Sequence, residues 1–209
     1  MTLQIQAIIL AGGRGSRLGG ADKALLRYDD QTLLDRLLVG LSPLTADVVV
    51  VGQPRPLASA TPVTWTLESP AGGGPLAGLA AGVAALAQTS DDAWVIALAC
   101  DQPFAELAFA PLIAAARQAG PDIHVVLGVD HNGRSQALTA IYRAGALVRA
   151  LAELGNPDGL PMRALVRQLT CEEILLPALA SQDVDTFADL TDLGVTQDES
   201  ETTSQPQRD

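Results

Sequence analysis

Short apolar runs alternate along this chain with longer segments whose leucines and alanines recur at helical spacing, and this alternation constrains the fold more than any other feature. The runs IQAIIL (5–10) and DVVVVG (47–52) read as strands, with the helical pattern TLLDRLLVGL (32–41) between them. A weaker strand, VTWTL (63–67), leads into the loop ESPAGGGP (68–75) and an Ala-rich helix, LAGLAAGVAALAQ (76–88). AWVIALAC (93–100) is the next strand, followed by a helix through FAPLIAAARQAG (109–120). IHVVLGV (123–129) and QALTAIYR (136–143) read as strands, and AGALVRALAEL (144–154) as a helix. Continuous apolar strands interleaved with helices predict one α/β domain, a mainly parallel twisted sheet covered on both faces. No internal repeat or mid-chain linker interrupts it, so the domain is expected to span residues 1–195. In such sheets ligands bind beyond the carboxyl ends of the strands. Three loops follow strands there: Ala11 to Lys23, Glu68 to Gly78, and Cys100 to Phe104.

Composition removes several function classes. Aromatic residues make up only 3% of the 209, so the core has to be built from Ala, Leu and Val. A net charge of −11 is the wrong sign for a nucleic-acid partner. Residues 196–209 are acidic and almost free of apolar side chains, and are expected to form a disordered tail. Cys100 and Cys171 have no metal-finger spacing. The start MTLQIQAIIL lacks the basic region of a signal peptide, and no apolar stretch nears the roughly 20 residues of a membrane span. A cytoplasmic protein is expected.

The first of the three loops carries the chemistry. LAGGRGSRLGGADKALL (10–26) packs Gly12, Gly13, Gly15, Gly19 and Gly20 among Arg14, Arg17 and Lys23, the only lysine of the chain. Backbone N–H groups freed by glycine can turn around an anion, and fixed cations add charge, so a polyphosphate is the expected ligand. The spacing excludes two common phosphate loops. Gly19-Gly20 is followed by Ala-Asp-Lys-Ala, without the Gly-Lys-Ser/Thr of a Walker A loop. Gly13-Arg14-Gly15-Ser16-Arg17 leads to Leu18 where a dinucleotide fingerprint needs glycine.

The segment resembles the L-A-G-G-x-x-x-R-[ML]-G-x-D-K motif of nucleotidyltransferases, and is most similar to that of the molybdenum cofactor guanylyltransferases. The resemblance implies a Rossmann-like nucleotidyltransferase fold. It also implies transfer of GMP from GTP to the phosphate of the molybdopterin-bound cofactor, with release of pyrophosphate. Leu10, Ala11, Gly12 and Gly13 become nucleotide-loop candidates, and Arg17 and Lys23 are expected to meet the triphosphate. Asp22 is a candidate to cap or orient the loop as much as for catalysis. Gly74, Pro75, Leu76, Ala77 and Gly78 match a G-P-L-A-G-[LI] motif beside the base. The alignment puts Ser69, with Glu68 next to it, where many relatives have a guanine-reading aspartate; either side chain can accept a hydrogen bond from guanine.

Asp101 in ALACDQPF matches a C-D-x-P element and is the principal Mg²⁺ candidate, joined in catalysis by Arg17 and Lys23. DVDTFADL resembles the segment that supplies a second metal ligand, here Asp185, which could alternatively cap the short helix after it. Asp183, two residues earlier, is not expected to bind the same ion. GRSQALTAIYR resembles the acceptor-side strand and makes Gln136 and Arg134 acceptor candidates, with Arg163 a third. His124 and His131 match no motif. The implied partners are GTP and the molybdopterin cofactor, with handover proteins in cofactor biosynthesis, and no nucleic acid or membrane. Two other readings stay open: a cytidylyltransferase or related NTP transferase with another phosphorylated acceptor, and a non-catalytic nucleotide-binding module. Ser69, Ala137 and Phe187, all departures from the motifs, favour the second.

Overall fold

The computed structural model describes residues 3–12, 18–45, 47–87 and 90–197. Gly13 and Arg17, singled out above, lie outside the described residues, as does 198–209 of the expected tail. The chain opens with β1 (Ile5–Leu10) and continues through a small hairpin, β2 (Arg27–Tyr28) and β3 (Gln31–Thr32). Asp29 and Asp30 turn that hairpin with φ of 47° and 56°, the left-handed pair a two-residue turn demands. Thr32 then caps α1 (Leu33–Leu41) by accepting the Asp35 N–H. Next come β4 (Val48–Val51), β5 (Thr64–Thr66), α2 (Pro75–Ala85), β6 (Trp94–Ala99) and α3 (Phe109–Gln118). The chain continues with β7 (Val125–Val129), β8 (Ser135–Arg143), α4 (Ala144–Leu154), α5 (Met162–Val166), β9 (Cys171–Leu175) and α6 (Phe187–Leu193).

Among the described residues, seven strands form the main sheet in the order β5-β4-β1-β6-β8-β7-β9. The pairs β5·β4, β4·β1, β1·β6 and β7·β9 are parallel, and β8 alone runs against its neighbours. Alternate residues of a strand face opposite sides, so β1 divides its payload. Ala7 and Ile9 join the core under α1 and α3, with Leu34, Leu38, Leu112 and Ile113. Ile8 joins the core under α2, α4 and α5, with Leu76, Leu79, Leu147 and Leu165. Gly82 allows α2 to lie that close, because a Cβ there would stand 2.5 Å from Ile8 Cγ2.

A third, smaller core joins distant segments: Leu18, Ala21, Leu26 and Leu33 pack with Val184, Leu190 and Val195. Beyond it, Arg27 and Thr196 exchange backbone hydrogen bonds of 2.8 and 2.7 Å, so ordered pairing passes residue 195 by one position. No helix among the described residues is long and apolar enough to cross a membrane.

Candidate functional site

The carboxyl ends of β1, β4 and β6 open onto a cavity of about 790 Å³. Leu10, Gly12, Val51, Glu68, Gly74 and Asp101 are among the residues that line it. The N-terminus of α2 points its first turn at this space: Gly74 takes φ 90°, and Pro75 occupies the opening position, where a missing N–H costs nothing. Gly78, one turn on, also lines the cavity, and a Cβ on it would press within 3.3 Å of Leu10. The loop before α2 is braced from behind by Gly159, whose N–H donates to the Gly73 carbonyl at 2.9 Å.

The charged centre lies where three segments meet. Asp101 follows β6, and its carbonyl accepts the Val184 N–H at 2.9 Å, which docks residues 183–185 against it. Val184 is fully buried in the third core and anchors the contact from the other side of the extended chain. Lys23 Nζ donates to Asp101 Oδ2 at 2.9 Å and to Asp185 Oδ1, so a single ammonium joins the two carboxylates. Partial burial alone would lower the Lys23 pKa; the hydrogen bonds and charges of Asp185 and Asp101 outweigh it, and the pKa is raised.

Asp183 belongs to the same field. Residues two apart on an extended chain share a face, and the charges of Asp101 and Asp185 both reach it. Its pKa is raised, first by desolvation among its neighbours and then by the charges of Asp101 and Asp185, although the side chain reaches solvent. Capping α6 falls to Thr186, not Asp185: Thr186 Oγ1 accepts the Asp189 N–H, and Asp189 Oδ2 accepts from the backbone of Asp185 and Thr186. Among the described residues no group of three or more His, Cys, Asp or Glu is gathered as a cage for a metal ion.

Two expected nucleotide contacts are placed elsewhere. Ala11 is buried, with its N–H on the Val51 carbonyl at 2.8 Å and its own carbonyl taken by Arg55, and is not among the cavity-lining residues. Ser69 lines a separate groove with Leu67, Ala77 and Ala81, while Glu68 lines the main cavity. Successive side chains of an extended segment diverge, and here the glutamate takes the inward position. Asp22 caps the 3₁₀ turn Lys23–Leu25 through the Ala24 N–H at 3.1 Å and pairs with Arg55. Arg55 was not recognisable beforehand, since it belongs to no motif and its partners are far away in sequence.

Gln136 and Arg163 come together in a second cavity of about 430 Å³, with Ala137 and Met162; Arg134 does not line it. Leu138 lines both cavities. His124 Nδ1 accepts the Thr170 N–H at 3.2 Å, a structural role, and His131 stands exposed in a turn. Cys100 is buried and its thiol is pushed far up by desolvation, so it is no nucleophile.

A family profile described as a MobA-like NTP transferase domain matches residues 7–174, most of the chain. The chain belongs to that family. The MobA-like relatives include a molybdenum cofactor guanylyltransferase of Pasteurella multocida, 31% identical over 73% of this chain and 78% of the relative. Another protein of that name, from Cupriavidus pinatubonensis, is 34% identical over 63% of this chain and 66% of its own length, so the match spans just under two thirds of that relative. Among solved structures, molybdopterin-guanine dinucleotide biosynthesis protein A of Archaeoglobus fulgidus has a TM-score of 0.63 at 18% identity, covering 90% of this chain and 95% of that one. The 2-C-methyl-D-erythritol 4-phosphate cytidylyltransferase of Francisella tularensis has a TM-score of 0.66 at 13% identity, covering 91% and 98%. At such identities the two structures speak for the shared fold of a MobA-like domain.

Proposed function

We propose that this MobA-like domain is a Mg²⁺-dependent guanylyltransferase, moving GMP from GTP to the phosphate of the molybdopterin-bound molybdenum cofactor and releasing pyrophosphate. The observation that carries the reading is Asp101 and Asp185 meeting on one ammonium beside a cavity into which Glu68 also faces. Guanine presents two adjacent donors, N1–H and N2–H, and a carboxylate accepts both, whereas adenine and cytosine put an acceptor beside their donor. Lys23, released from the carboxylates, pairs with the triphosphate and offsets charge that grows on the departing pyrophosphate. The acceptor phosphate is already anionic and attacks without a general base, so the chain's task is to position and neutralise. That task fits a site without a serine–histidine arrangement among its described residues.

The donor set suits Mg²⁺. Two carboxylate oxygens that already reach one cation, completed by substrate phosphates, are the usual way proteins bind this ion. Asp101 and Asp185 would hold it, and when bound it supplies charge neutralisation at the transferred phosphate. Gln136 and Arg163 in the adjoining cavity are the acceptor-side groups, arginine offering a fork of donors to a phosphate.

The test is pyrophosphate release with each of the four NTPs and the molybdenum-bearing pterin phosphate over a Mg²⁺ titration. GTP should be the preferred donor, turnover should require Mg²⁺, and Asp101→Asn should lower it by about 10² or more. CTP preferred over GTP would replace the guanylyl reading. NTP binding without turnover would leave a nucleotide-binding module.

A further inference from the structure

We propose that Arg55 is a positioning residue for nucleotidyl transfer, fixing both flanks of the glycine-rich loop so that Lys23 is presented to the phosphates; this rests on the guanylyltransferase reading. The Arg55 side chain is only 12% exposed, and it contacts three separate points. Nη2 donates to the Ala11 carbonyl at 2.8 Å, at the exit from β1. Nε donates to Asp22 Oδ2, immediately before Lys23. Nη1 donates to the Gln53 carbonyl at 2.8 Å and so fixes the arginine against its own segment. Asp22 passes the constraint on, because its other oxygen caps the turn that carries Lys23.

The sequence prepares this contact. Arg55 stands between Pro54 and Pro56, and a residue before proline is held to extended backbone, so the arm is preset. Gly52 clears the space: a Cβ there would stand 2.9 Å from the Ala11 carbonyl oxygen and 3.0 Å from Arg55 Nη1. The hydrogen bonds of Arg55 and Asp22 run to the Ala11 carbonyl, to each other and to the turn that carries Lys23, so both act by holding the loop that presents the lysine. A guanidinium reaches three acceptors in one plane, which an ammonium cannot reproduce.

The experiment compares wild type, Arg55→Met, Arg55→Lys, Asp22→Asn and the double variant Arg55→Met/Asp22→Asn. Two readings are taken: steady-state GMP transfer, and acetylation of Lys23 by an N-hydroxysuccinimide ester, with the N-terminal amine as internal reference. Lys23 is the only lysine, so the second reading needs no turnover. Each single variant should lower kcat by about 10- to 100-fold with a smaller change in KM for GTP, the mark of lost positioning. The double variant should be no slower than the slower single one, since both break one contact. Lys23 acetylation should speed up by roughly threefold or more relative to the N-terminus as the lysine leaves its carboxylates. Arg55→Lys should fail to rescue either reading. A folded Arg55→Met with wild-type kcat and wild-type labelling overturns the proposal. If Arg55→Met does not fold, Asp22→Asn, which keeps the capping oxygen, decides by the same two readings. Wild-type protein without GMP transfer defeats the activity reading, and labelling alone then decides: faster acetylation in the variants upholds the positioning role, unchanged acetylation overturns it.

Discussion

Glu68 accepts the Gly72 N–H at 3.1 Å through Oε1, which steadies the side chain at the cavity wall beside Gly12. A base reader at that place selects by charge and by donor pattern together. Glu68→Gln keeps the shape but replaces one accepting oxygen with a donor, so preference for GTP over ATP should fall about tenfold or more. Ser69→Ala removes a hydroxyl that faces another groove and should leave the ratio unchanged. Competition binding with the paired nucleotides measures both; a loss of selectivity on the serine change and not on the glutamate change would reverse the assignment. The motif resemblance narrows the proposed base reader to this pair of neighbours and goes no further. Which of two adjacent side chains points inward depends on the phase of the chain as it leaves β5, and a single glutamate-serine step carries no periodicity from which to read that phase.

At the scale of elements, α6 is held by a reciprocal cap, and that cap also carries the site. Asp189 accepts the Asp185 and Thr186 N–H groups at 2.9 and 2.7 Å, and these bonds, the Asp185 one first, hold its pKa below the usual carboxylate range. A folded pKa below the unfolded one stabilises fully above the unfolded value, about pH 4. The contribution is lost as the pH falls through the lower folded value. Asp189→Ala should therefore cost about 1 kcal/mol near neutral pH, a melting temperature lower by roughly 2–4 °C. That gap should narrow as the two proteins are melted at progressively lower pH below about 4; a gap that stays constant with pH would mean the carboxylate charge plays no part. The larger elements were legible because their patterns are long: α1 and α4 begin within one residue of the positions their leucine spacing predicts. β9 was not, since CEEIL places two glutamates inside a five-residue edge strand and breaks the apolar run that marks the central strands. The β2–β3 hairpin and α5 are too short for any period to register. The reversal of β8 was within reach: the few residues between β7 and β8 suffice for a hairpin but not for the crossover a parallel pair requires.

At the scale of the molecule, most of the sheet serves as a platform and the site is assembled by long-range returns. Residues 183–185 come back to Asp101 from the far end of the chain, and Thr196 reaches Arg27 beyond them. Such returns leave no local trace, so Lys23 and Asp185 stand in two separate motifs and nothing in either marks their shared ion pair. β8, the one reversed strand, links the two cavities. Thr139 donates to Gln102 at 2.7 Å in the interior and so ties this strand to the Asp101 loop. Leu138, the residue before it, lines both the main cavity and the Gln136–Arg163 cavity. A shared wall residue has a stereochemical consequence. On the guanylyltransferase proposal, adjoining cavities would house donor and acceptor at once, so the transferred group need never reside on the protein and a single displacement at phosphorus is the expected course. Initial-rate plots against the two substrates should intersect and not run parallel. GTP made chiral at the α-phosphorus with sulfur should give product of inverted configuration, whereas retention would require a covalent nucleotidyl-protein and a second displacement.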